Sequence, residues 1–171
     1  MVPASVLLAL VSLLATAGVW ALTSRETPER SERPEGIERP ALRRIEALSA
    51  LREWDDRRAD AWAAGDVAEL RGLYVEGSRT GRSDTRMLRR YLERGLVVRG
   101  MRTQLLAVRV LHQGSVTMTL DVTDRVSGAQ VVGEGIAVPL PRDQASRRRV
   151  ELQRVRGRWL VVEVRAPSGA G

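Results

Sequence analysis

The period of apolar and polar positions changes several times along this chain, and each change marks an element. Residues 2–24, VPASVLLALVSLLATAGVWALTS, run for 23 positions without a charge, and about 20 apolar residues suffice to cross a bilayer core. No polar face interrupts the run, which sets it apart from a helix packed in a soluble core. Ala15-Thr16-Ala17 and Val19-Trp20-Ala21 offer small-residue cleavage sites, but the basic n-region of a signal peptide is missing. Residues 1–24 are therefore expected to form an uncleaved, single-pass transmembrane anchor. Residues 25–39, RETPERSERPEGIER, alternate acids and arginines around Pro28, Pro34 and Gly36. Such a segment has too little apolar surface to offset the entropy of ordering, so a disordered charged linker is expected.

Beyond Pro40 the period becomes helical. Leu42, Ile45, Leu48, Leu51, Trp54, Arg58 and Trp62 recur at steps of three or four, which predicts an amphipathic helix to about Ala64. Gly65 suits the left-handed residue that ends such a helix, and Asp66 with Glu69 is a capping pattern that opens another. Leu70, Leu73 and Tyr74 share one side of that second helix. EGSRTGRS then reads as a loop, with Ser83 or Asp84 capping a third helix whose Met87, Leu88, Tyr91 and Leu92 face inward up to Gly95.

From Leu96 the period is two. In SVTMTLDVTDR, Val116, Met118, Leu120 and Val122 alternate with Thr117, Thr119, Asp121 and Thr123, the mark of a half-buried strand. Strands are expected over about 96–99, 101–111, 115–126, 129–139, 148–155 and 158–165, joined by turns short enough for an antiparallel meander. Three helices followed by such strands predict an α+β domain over residues 40–171, with the helices on one face of the sheet.

Composition narrows the chemistry. There is no Cys, which excludes disulfides, thiolate metal sites and a cysteine nucleophile, and no His or Cys cluster has ligand spacing, so neither metal nor cofactor is implied. All 28 basic side chains are Arg, a bias that GC-rich codons produce. The net charge of +7 falls entirely within residues 50–171, and seven arginines lie between Pro141 and Arg158. Among them Arg147, Arg148, Arg149 and Arg154 form a candidate anionic-surface patch. Stacking aromatics are absent from that stretch, which disfavours nucleic acid and leaves lipid headgroups or an acidic protein. Four arginines follow the apolar segment and none precedes it, which by the positive-inside rule favours a cytoplasmic domain. The common export of bacterial proteins with this layout tips the expectation to the outer side of the cell membrane.

AWAAGDVAELRGLYVEGS, residues 61–78, resembles the opening helices of the nuclear transport factor 2-like superfamily, including its SnoaL-like branch, and RGRWLVVEVR resembles that superfamily's last strand. The likeness covers about residues 50–166. It implies a cone formed by a curved antiparallel sheet and three helices, here preceded by a transmembrane helix, as in membrane-anchored actinobacterial members. It does not imply one reaction, because this scaffold serves enzymes, transport adaptors and protein-interaction modules alike.

Trp62, Tyr74, Tyr91 and Asp121 are the candidates for lining the cone, although the aromatics are also the side chains available to fill a core without Phe. Asp121 shares its face with three threonines, which reads as solvated, whereas a buried Asp121 or Asp124 would have a raised pKa and could act as a base. His112 begins His112-Gln113-Gly114, a hairpin turn, and is read as exposed rather than catalytic. Asp55, Asp56 and Asp60, interleaved with Arg52, Arg57 and Arg58, read as a solvated helix face. No catalytic residue is assigned. The expected role is a membrane-tethered accessory module that binds a protein partner, or a second copy through its sheet. The alternative is a SnoaL-like small-molecule enzyme or carrier using a pocket Asp.

Overall fold

In the computed structural model, residues 35–141 and 144–166 are described. The anchor expected over residues 1–24 and the linker up to residue 34 lie outside them. No helix of the described residues is long and apolar enough to cross a membrane.

Helix α1 spans Glu35–Ala64 and includes Pro40, so it starts within the stretch expected to be linker. Pro40 removes only the bond to the carbonyl four residues back, which here belongs to the first helical turn, and the helix runs through it. At its other end Gly65 takes φ +70, and the Asp66 carboxylate accepts from Ala68 N and Glu69 N at 2.9 and 2.8 Å. This opens α2 (Val67–Gly72) as the capping pattern predicts. Glu69 pairs with Arg57 of α1, which ties the two helices across their junction.

The third helix departs from expectation at its start. Helix α3 spans Arg79–Leu92 and is capped by Ser78, whose hydroxyl accepts from Gly81 N. Asp84 therefore lies within the helix and is buried. Gly81 explains why a helix runs through a sequence that reads as loop. A Cβ at this position would lie 2.6 Å from Tyr74 Cγ, so the glycine lets α3 press against that ring.

The strands are β1 (Val97–Arg99), β2 (Arg102–Gln113), β3 (Thr117–Ser127), β4 (Gln130–Gly133), β5 (Ile136–Pro139), β6 (Ser146–Val155) and β7 (Arg158–Arg165). They do not form one meander. β2, β3, β6 and β7 make a four-stranded antiparallel sheet in that order, while β1, β4 and β5 make a second. The strand expected over 129–139 splits at Glu134-Gly135 into the β4–β5 hairpin, which pairs with β1. Register shifts in β2 and between β6 and β7 are irregularities of the kind that bend a sheet.

The helices cover the inner face of the sheet. Met118, Leu120 and Val122 from β3, with Val150, Leu152 and Val161, pack on Leu51, Trp54, Trp62, Leu70, Leu73, Tyr74 and Leu88. The connector after α2 is stitched to the sheet, because Val161 N donates to Leu73 O and Val75 N to Val161 O, both at 3.0 Å. Glu163 of β7 accepts from Arg79 N at 2.5 Å and the Thr80 hydroxyl at 3.0 Å, fastening the first turn of α3 to the last strand. Burial alone would raise the Glu163 pKa, but these donors outweigh it and hold the carboxyl below its ordinary value.

Candidate functional site

Two clusters of polar side chains on the helix side of the sheet are candidates for chemistry. The first is centred on Asp84. Its carboxylate accepts from Arg58 Nε and Nη2, each at 2.7 Å, from the Tyr74 hydroxyl at 2.7 Å and from Trp62 Nε1 at 3.2 Å. Four donors use all the acceptor capacity of a carboxylate. The Arg58 guanidinium carbon lies 5.9 Å from the ring centres of both Trp54 and Trp62, and Trp54 meets Tyr74 edge-on at 5.7 Å. Burial works against the Arg58 charge, yet the bonds to Asp84 outweigh it and raise the guanidinium above its ordinary pKa. Burial, reinforced by the Asp84 charge, raises the Tyr74 phenol and keeps its proton in place.

The second cluster sits where α1 meets the start of β2. Asp55 accepts from the Thr103 hydroxyl at 3.1 Å, and Asp124 is paired with Arg148 close by. Asp124 continues the inward face of β3 past Val122 and is 3% exposed. Burial pushes Asp55 up to about 6, with the nearby Arg148 charge opposing it. A cavity of about 320 Å³ opens beside it, bounded by Arg52, Asp56, Met101 and Thr103. The sequence carried a signal for this group. Leu51, Asp55, Arg58 and Trp62 follow steps of four, three and four, so Asp55 shares the apolar stripe, although its neighbours in sequence suggest a solvated face.

Three of the four pocket candidates meet in the core, and the fourth lies apart. Trp62 and Tyr74 are core residues bound to Asp84, and the half-buried Tyr91 meets Trp62 edge-on at 5.5 Å. Asp121 lies on the other side of the sheet, since strand alternation sends Met118, Leu120 and Val122 inward. It is nevertheless not solvated. Arg109 Nη2 and Arg147 Nη2 donate to it at 2.8 and 2.5 Å and cover it, leaving its side chain 5% exposed. The hydrogen bonds from Arg147 and Arg109 hold its carboxyl below the ordinary range.

The same alternation divides the arginine patch. Arg147 and Arg149 flank Asp121 on the outer face, whereas Arg148 turns inward to Asp124. Arg154 lies 5.2 Å over the Trp159 ring and 3.8 Å from Glu46. A run of three strand arginines cannot present one surface. His112 is an exposed residue of β2 near the β2–β3 hairpin. Among the described residues no cluster of His, Cys, Asp or Glu has the arrangement of a metal site.

No protein-family model matches the chain, and neither does any curated protein. Solved structures do. The intermembrane space region of the chloroplast protein ARC6 aligns at 16% identity over 71% of this chain and 95% of that chain, with TM-score 0.51. Rv3472 of Mycobacterium tuberculosis, a protein of unknown function, aligns at 13% identity over 76% of each chain, with TM-score 0.51. An NTF2-like protein with a cystatin-like fold from Novosphingobium aromaticivorans aligns at 18% identity over 76% of this chain and 88% of that chain, with TM-score 0.44. The likeness is one of fold. Helices packed on a curved antiparallel sheet are the architecture that the resemblance of residues 61–78 and the last strand implies.

Proposed function

We propose that this chain is a non-catalytic accessory module, held at the cell membrane by residues 1–24 with its domain on the outer side, that works by binding a partner protein. The observation that carries this reading is the saturation of Asp84. General acid-base chemistry needs a carboxyl within reach of substrate and free to exchange a proton, whereas Asp84 is occupied by Arg58, Tyr74 and Trp62. Asp124 is engaged by Arg148, and Asp121 lies on the far face under two arginines. Exposed Leu106, Leu111, Val116, Ile136 and Val138 suit a domain that works by surface contact. The charge-free length of residues 2–24 supports the tether.

One observation favours the enzyme alternative. Asp55, pushed up to about 6 beside a cavity, has the properties of a base near neutral pH. Thermal melts of the parent and Asp55→Asn at pH 7, over a panel of small hydroxy and carbonyl compounds, decide between the two. The module reading expects no compound to stabilise the parent alone. A compound that does so, and that only the parent consumes, makes the protein an enzyme. For the tether, fractionation should leave the full chain in membranes after an alkaline wash, and its release there would remove that part of the proposal.

A further inference from the structure

One opening lies outside the sheet's concave side altogether. A groove of about 760 Å³ runs between α2, the connector after it and the outward face of α3. Arg82, Arg86 and Arg89 line one wall at helical steps of four and three, and Arg71 of α2 faces them across the groove, with Glu76 the one acid at its edge. Arg82 donates to Gly77 O at 2.7 Å, and among the described residues Arg71, Arg86 and Arg89 make no ion pair. Tyr74 and three glycines, Gly72, Gly77 and Gly81, are also among its lining residues.

We infer that this groove binds a small anion carrying a flat apolar body, an aryl phosphate or carboxylate, independently of whatever the sheet contacts. Four guanidiniums against one carboxylate attract negative charge, and guanidinium forks match phosphate and carboxylate oxygens in pairs while stacking on ring faces. The volume is that of a small-molecule site. Gly72 lets the idea be tested without disturbing the core, because a Cβ built there meets nothing within 4 Å.

The full chain in phosphatidylcholine nanodiscs is titrated calorimetrically with phenyl phosphate and, separately, with inorganic phosphate. Saturable one-to-one binding of phenyl phosphate is expected, tighter than that of inorganic phosphate because the ring adds apolar contact. Gly72→Leu, which fills the groove, should weaken it about tenfold or more without lowering the melting temperature, and Arg86→Gln with Arg89→Gln should weaken it about tenfold. Repeating the titration with phosphatidylglycerol in the discs identifies the source of the anion. Lowered apparent affinity assigns the groove to lipid headgroups, and an unchanged value assigns it to a soluble ligand. No saturable heat, binding that all variants retain, or capture of an oligoglutamate peptide but not phenyl phosphate would overturn the inference.

Discussion

Asp55 and Asp84 stand about a helix length apart in sequence and face the same interior, yet their surroundings give them different tasks. Asp84 meets donors on every side, whereas Asp55 meets one hydroxyl and an arginine already engaged by Asp124. Burial therefore dominates at Asp55 and raises it to about 6 from 3.8. Between these two pH values the folded domain holds more protons at this group than the unfolded chain. Its contribution to stability is thus fully present below about pH 4 and is lost as pH rises through about 6. Asp55→Asn mimics the protonated form, so it should stabilise the domain at pH 7 by about 1–3 kcal/mol and leave it unchanged at pH 4. Urea unfolding at the two pH values measures this. Equal stability of parent and variant at pH 7 would show that Asp55 is solvated.

The elements that sequence periodicity made legible are those in which local chemistry and tertiary packing agree. Gly65 and Asp66 end one helix and cap the next through backbone geometry and short-range bonds, which any reading of the chain can find. The start of α3 was hidden because Gly81, a weak helix former, is selected by contact with Tyr74 seven residues earlier, and that contact exists only after folding. The 129–139 segment was similarly opaque. Its pairing with β1 rather than with β3 or β6 depends on which edge is free, and alternation does not record that. Two glycines on adjacent helices should respond oppositely to Ala. Gly81→Ala forces Tyr74 to move and should cost about 1–3 kcal/mol, whereas Gly72→Ala enters open space and should gain up to about 1 kcal/mol from helix propensity. Thermal melts of the pair check both signs, and a neutral Gly81→Ala would remove the packing explanation for that helix start.

At the scale of the whole domain, the architecture could be read from the sequence far better than its interior. Apolar alternation separates inner from outer strand faces, and so places Asp121 on the outer face, but it cannot show that Arg109 and Arg147 fold over that carboxylate. Nor can it show that Trp62 and Tyr74 turn their polar atoms on Asp84 instead of toward a ligand. This last arrangement joins α1, the connector after α2, and α3, and it decides whether the interior between helices and sheet holds a reaction site or a structural lock. Breaking one partner of a buried pair leaves an uncompensated charge and typically costs about 3–5 kcal/mol, whereas functional sites tend to hold groups whose removal leaves stability unchanged or improved. The direct measurement is the unfolding free energy of Asp84→Asn in urea at pH 7. A loss of about 3 kcal/mol or more, with one cooperative transition, is the result expected of a lock, and a variant as stable as the parent would contradict it and make Asp84 a residue kept for chemistry.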